Sequence, residues 1–266
     1  MVWVVAFLVS VASARVKIWR SRSTRLYTLA LASVAAGYAC SAQAIGDTYI
    51  DPVLPEWMGH NISDMLRSVG AVISCWLIGL MFLRLMQRFP SPRSRLSPVY
   101  RYARYRWAWS AYSLLTLVAV VVLSRLSDAA RVPADGDMTF RDPAGVAYVV
   151  IYFTQGVVTC LFLVYGGVIG WMRSNDPVTR GMMVAFAGIG VSGVGVAVWV
   201  AWWLTTAPMV GHPGWMDRIS PPFLIALGLI GLVGLGRRCW ISRSGSWAWL
   251  RWLPGGGSSL GGHPAR

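Results

Sequence analysis

Few side chains in this sequence can do chemistry, and most of those sit inside apolar stretches. The segment Tyr152–Cys160 carries Thr154, Gln155 and Thr159 among apolar neighbours, and Gln43 and Thr116 are enclosed in the same way. All five are uncharged. A charge at the centre of a bilayer costs about 2.5–3.5 kcal/mol on insertion scales, so an ionisable residue there marks a pathway or a coupling site. Here Arg67, Arg84 and Arg125 fall near the ends of apolar runs, where a long side chain reaches the interface. The lack of buried carboxylates argues against a proton- or sodium-coupled carrier of the usual design. Gln155 is the most informative of the set, because its amide must find a partner away from water. The plainer reading is an interhelical hydrogen bond, worth roughly 0.6–2 kcal/mol. The sharper one makes Gln155, with Thr154 and Thr159, part of a polar pathway.

Metal and hydrolytic chemistry need a denser cluster. His60 and Asp64 are four residues apart and would share a helix face, and His212 and Asp217 lie together in another loop. A site of two His and two Asp is conceivable, but the chain holds only 3 His in all. Solvated loop residues, with Asp64 favouring a helix N-terminus, are the plainer account. The 4 cysteines (Cys40, Cys75, Cys160, Cys239) form no CxxC pair, and three lie in apolar runs where a thiol is a small packing group. No phosphate-binding loop, nucleotide fingerprint or triad spacing is present. We therefore expect no cofactor, no metal site and no catalysis.

The glycines speak to packing. Gly166 and Gly170 are four apart, and Gly188/Ser192 and Gly193/Ala197/Ala201 repeat the spacing further along. Gly228, Gly231 and Gly234 follow in the last apolar run. Small residues at this interval let helix backbones approach closely. Gly166, Gly170, Gly188 and Gly193 are accordingly candidate contacts among the last three helices.

The elements that must position these groups are set by composition. Of 266 residues, 56% are hydrophobic and 13% charged, about half the charge of a soluble domain. The 15 Trp suit a protein with two water–lipid interfaces. The net charge of +14 invites a nucleic-acid reading, and Arg101–Trp109 does interleave Arg with aromatics. That segment abuts an apolar run, so an interfacial belt touching anionic lipid is the simpler account, and we expect no nucleic-acid partner.

A helix needs roughly 20 apolar residues to cross a ~30 Å hydrocarbon core. Six runs meet this: Arg25–Gly46, Ile62–Gln87, Trp107–Leu126, Ala144–Met172, Met182–Leu204 and Ile219–Gly236. A seventh, Met1–Ala14, is short and spans if it continues to about Trp19 with Arg15 and Lys17 snorkelling. Its positive charges follow the apolar stretch, the reverse of a signal peptide. A start a few residues upstream would also explain the shortness.

The connecting segments set the orientation. Basic residues dominate the first (Arg15, Lys17, Arg20, Arg22, Arg25), the third (Arg84–Arg106), the fifth (Arg173, Arg180) and the tail. Acids gather in the second (Asp47, Asp51, Glu56, Asp64) and the fourth (Asp128, Asp135, Asp137, Asp142). This alternation predicts an all-α, polytopic bundle of seven spans with the N-terminus outside and the C-terminus cytoplasmic. Residues 1–236 form the transmembrane domain. Residues 237–253, rich in Arg and Trp, suit a segment lying on the inner leaflet, and 254–266 a disordered Gly/Ser tail.

With these features the chain resembles a family of actinobacterial seven-helix integral membrane proteins assigned to transport. The resemblance rests on "DPVLPEWMGHNISDMLRSVGAVIS" and on "RSNDPVTRGMMVAFAGIGVSG", in which Arg180-Gly181 precedes a small-residue helix. It covers most of residues 1–236, and the chain lacks most of the C-terminal cytoplasmic domain usual in that family. It implies a small-molecule transporter in the bacterial plasma membrane. It supplies no substrate and no site residues. The alternatives are a membrane sensor or interaction subunit without catalysis of its own and, third, a membrane-embedded hydrolase using His60, Asp64 and His212. Expected partners are the bilayer, anionic lipid head groups at the cytoplasmic face, and a second copy or another membrane protein.

Overall fold

The computed structural model describes residues 2–16, 18, 22–41, 45, 49–50, 52–53, 62–87, 98–127, 142–206 and 216–243. Among these residues the chain forms seven α-helices and no strand. They are α1 (Val2–Val16), α2 (Arg22–Cys40), α3 (Ile62–Gln87), α4 (Pro98–Leu126), α5 (Pro143–Arg173), α6 (Pro177–Thr206) and α7 (Met216–Arg243).

Local chemistry sets several of the ends. Asp142 caps α5 by accepting the Gly145 N–H at 2.9 Å, and Pro143 fills the first helical turn, where no amide is needed. Asp176 does the same for α6, accepting the Thr179 N–H at 2.6 Å just ahead of Pro177. Between the caps the helices are rich in Val, Ile and Gly, which are indifferent helix formers in water. In hydrocarbon the backbone has no other partner than itself, and helix becomes the default.

The distribution of polarity is that of a membrane-embedded helical protein. On α4, Ser113 and Thr116 are buried, whereas Leu115 and Val118 stand 70% and 57% exposed. On α6 the exposed large side chains are also apolar: Val184, Val191, Val198 and Trp202. An aqueous protein would reverse this arrangement. Among the described residues, four stretches are long and apolar enough to cross a membrane: Ile62–Met86, Arg104–Leu126, Pro143–Arg173 and Pro177–Trp202. Val2–Val16 and Pro221–Arg237 are apolar but shorter. At ~1.5 Å per residue the 15 residues of α1 cover about 22 Å.

Several helix ends differ from the sequence expectation, among them the start of α4, at Pro98 rather than Trp107. The first helix stops at Val16 rather than near Trp19, closed by the Ile18 N–H on Arg15 O at 3.0 Å. The second ends at Cys40 rather than Gly46. The last runs on to Arg243, past the boundary expected at 236, because nothing in Arg237–Arg238 disfavours helix.

Close backbone approaches hold the bundle together. Where α2 crosses α3, a Cβ on Gly70 would stand 2.6 Å from Ser33 O and 3.0 Å from Gly37 Cα. Where α5 meets α6, a Cβ on Gly167 would fall 2.6 Å from Met183 O, and one on Gly190 2.5 Å from Cys160 O. α3 and α4 are joined by Trp109 Nε1 donating to Trp76 O at 2.9 Å. The last helix does not pack mainly on α6, as its glycines suggested, but on α1. Gly228, Gly231 and Gly234 face Phe7, Val11 and Arg15 in turn, so steps of three on α7 match steps of four on α1.

Candidate functional site

Two partly open cavities stand out among the described residues, one above the other in the bundle. The first, of about 250 Å³, is lined by the second half of α2 (Val34, Tyr38), the middle of α3 and α5 (Cys75, Gln155, Thr159) and Leu224 of α7. Gln155 is fully buried. Its Nε2 donates to Ser113 Oγ on α4 at 3.0 Å, while its Oε1 has no hydrogen-bond partner. A buried acceptor left unpaired costs about 1–3 kcal/mol. The sequence-predicted polar group is therefore only half satisfied by its own bundle, in a cavity whose other walls are mostly apolar.

The neighbours of Gln155 divide. Thr159 is buried, donates to Gln155 O at 2.9 Å and shares a hydrogen bond with the Cys75 thiol. Thr154 is exposed and returns its hydroxyl to Val150 O at 2.7 Å, so it points away from the cavity. Of the candidate packing glycines, Gly166 is covered by the Phe82 ring of α3, Gly170 faces Met183 of α6, and Gly193 sits on Cys160 Sγ of α5. Gly188 does not join them. A Cβ there would meet nothing within 4 Å, because that face of α6 turns outward.

The second cavity, of about 290 Å³, lies where α1 ends, α2 begins, α3 ends and α6 begins, beside the later turns of α7. Arg15 is only 6% exposed there. Rather than snorkelling, it donates from Nη1 to Gly231 O at 2.6 Å and lies 4.8 Å from the Tyr27 ring centroid. Gly234 leaves room for the guanidinium, at 3.3 Å from where its own Cβ would stand. Tyr27 in turn donates to Leu227 O at 2.5 Å, across α2 and α7. Arg237 also lines the cavity, pairing with Asp176 at 2.9 Å and donating to the Thr179 hydroxyl. Partial burial raises the Asp176 carboxyl. The hydrogen bonds from Thr179 and the charge of Arg237 outweigh that and hold it below its usual range.

Between the cavities lies one packed layer. Phe186 meets Phe82 edge-to-face at 5.3 Å and Tyr27 at 5.9 Å, and Leu31 is buried beside them. Phe186 and Ile230 line the lower cavity, and Ile189 and Leu227, one helical turn away on the same helices, line the upper.

This lower cluster was not legible beforehand. Arg15 reads as an interfacial residue after an apolar run, and Arg237 as the first charge of a basic tail. The signal that could have joined them is the row Gly231, Gly234, Arg237, which marks one face of α7 as the partner of a bulky helix. Gln43, His60 and His212 lie outside the described residues. Asp64 is ion-paired with Arg67 at 3.3 Å, within one turn. Among the described residues no group of three or more His, Cys, Asp or Glu could hold a metal ion.

Apolar helices of spanning length with polar groups turned inward are the features of an integral membrane protein of the helical class. No protein-family model, curated protein or solved structure matches the chain.

Proposed function

We propose that this chain is a seven-span protein of the bacterial plasma membrane, N-terminus outside and C-terminus inside, that carries a small molecule across the bilayer. The observation that carries the reading is the pair of cavities in series, one with the half-satisfied Gln155 and one with Arg15, closed from each other by the single layer Leu31, Phe82 and Phe186. A carrier needs a site reachable from each side in turn and a thin barrier between them. One layer of side chains is a barrier that small helix shifts can open. The orientation is supported by the loop charges, since the Arg15 cavity lies at the end where the basic segments emerge. The resemblance to the actinobacterial transporters agrees with it.

The test is directional labelling of the natural thiols Cys75 and Cys160, which line the upper cavity. With Cys40 and Cys239 changed to Ser, an impermeant methanethiosulfonate added outside should label them in whole cells. Phe186→Ala should extend labelling to reagent supplied from inside. Labelling from neither side in both proteins would refute a carried path. Orientation is read by alkaline phosphatase fusions, active after Glu56 and inactive after Ser94, with the reverse result inverting the topology.

A second reading, a membrane sensor or interaction subunit, is favoured by the same closed layer, which lets a ligand be held without being passed. Saturable binding with no flux in proteoliposomes would select it.

A further inference from the structure

The lower cavity has a chemistry of its own. Two arginines, Arg15 and Arg237, line one partly open cavity of about 290 Å³, together with Ser23, Thr24 and Thr179. The rest of the wall is apolar, with Met81, Phe82 and Leu85 of α3 facing Met182 and Phe186 of α6. Arg15 is nearly fully buried, so its charge acts through a medium that screens it far less than water does. Its position is built rather than incidental, since Gly231 supplies the carbonyl it donates to, Gly234 the space, and Tyr27 the ring it lies over. Arg237 is set at the mouth by Asp176 and Thr179, and stays partly exposed. Guanidiniums recognise carboxylate and phosphate oxygens by paired, charge-assisted hydrogen bonds.

We propose that this cavity binds a single-headed anionic amphiphile, its carboxylate or phosphate between Arg15 and Arg237 and its chain along Met81, Phe82 and Leu85. The volume is near the lower end of the ~300–1,000 Å³ of ligand pockets, so the chain is short or only partly enclosed. A cation would be repelled by the poorly screened charge of Arg15, and a neutral head group would gain no charge-assisted hydrogen bond from either guanidinium. The site is independent of whether the protein carries anything, because occupancy is read at equilibrium and flux separately.

The experiment is isothermal titration of the full chain in phosphatidylcholine nanodiscs, with empty discs subtracted, using decanoate, decyl phosphate, decanol and decyltrimethylammonium. Decanoate and decyl phosphate should bind saturably, and the other two at least ~10-fold more weakly, the scale of a hydrogen bond to a charged group. Arg237→Gln and Arg15→Gln should each weaken decanoate by about 10-fold or more, and Arg15→Lys by less. Gly188→Ala, on an open face of α6 away from both cavities, should leave the affinity unchanged. Repeating the titration with phosphatidylglycerol in the disc separates two sources of the anion. Competition with decanoate assigns the site to a lipid head group, and undiminished binding assigns it to a free amphiphilic anion. The proposal is overturned if neither anion binds saturably, if decanol binds as tightly as decanoate, if both folded Arg→Gln variants bind like the wild type, or if Gly188→Ala abolishes binding.

Discussion

Replacing Gln155 with Leu should make the protein more stable and less functional. The wild-type amide donates one hydrogen bond, to Ser113 Oγ at 3.0 Å, and leaves Oε1 unpaired in a fully buried position. Removing the hydrogen bond costs about 0.6 kcal/mol, the average between membrane helices. Ser113 then has a fallback, since a serine in a helix can return its hydroxyl to the carbonyl four residues earlier. Removing the orphan acceptor regains about 1–3 kcal/mol. Leu has a similar volume, so neither a large cavity nor overpacking is introduced. The net expectation is a gain of about 1 kcal/mol, or roughly fivefold in the unfolding equilibrium. Ser113→Ala has the opposite sign, because it leaves Nε2 unpaired as well and costs about 1–3 kcal/mol. The assay is reversible unfolding in mixed micelles of dodecyl sulfate and a mild detergent, followed by Trp fluorescence or circular dichroism. The reasoning is refuted if Gln155→Leu destabilises by 1 kcal/mol or more, or if both variants move in the same direction. A stabilised Gln155→Leu that has lost substrate flux would identify the unpaired carbonyl as a group kept for a ligand.

Two further outcomes follow from the packing and the charges. Gly70→Leu should cost about 3 kcal/mol or prevent folding, because the new Cβ meets backbone atoms of Ser33 and Gly37 that cannot move cheaply. Gly188→Ala, on an open face, should be neutral or stabilising by up to ~1 kcal/mol through helix propensity, and thermal denaturation in detergent separates the two. The Asp176–Arg237 tether should depend on acidity. The folded carboxyl lies below its ordinary value of about 3.9, so its contribution is fully present above that pH and is lost as the pH falls through the lower folded value. The melting temperatures of wild type and Asp176→Asn should therefore differ by a constant amount at pH 5–7, and the difference should shrink as the pH falls below the ordinary carboxylate range. A difference that does not shrink on acidification would show that the side chain acts by shape and not by charge.

Some of this was legible residue by residue. Gln155 is a buried amide, and Gly166, Gly170 and Gly193 lie against neighbouring helices, at positions that residue type and spacing alone single out. Thr154 and Gly188 went the other way. Each carries the right residue type at the right spacing, but a helix presents every residue to one azimuth only, and which azimuth faces the interior depends on the neighbours. Arg15 was misjudged for a related reason. From the chain alone its nearest escape is the interface, and only the approach of α7 through Gly231 and Gly234 makes a buried seat for it.

By itself the sequence determined that the protein is helical and lipid-facing, and where its helices fall. Those properties follow from hydrophobicity and from the need of a backbone in hydrocarbon to bond to itself. It also singled out Gln155 as a polar group that would have to be accommodated. The tertiary structure decided the rest: that α7 packs on α1, that two cavities lie in series across an aromatic layer, and that Arg15 and Arg237, more than 200 residues apart, face one volume. Such pairings depend on which helix sides meet across long separations. Composition carries no information about that, because every lipid-facing helix is apolar in much the same way.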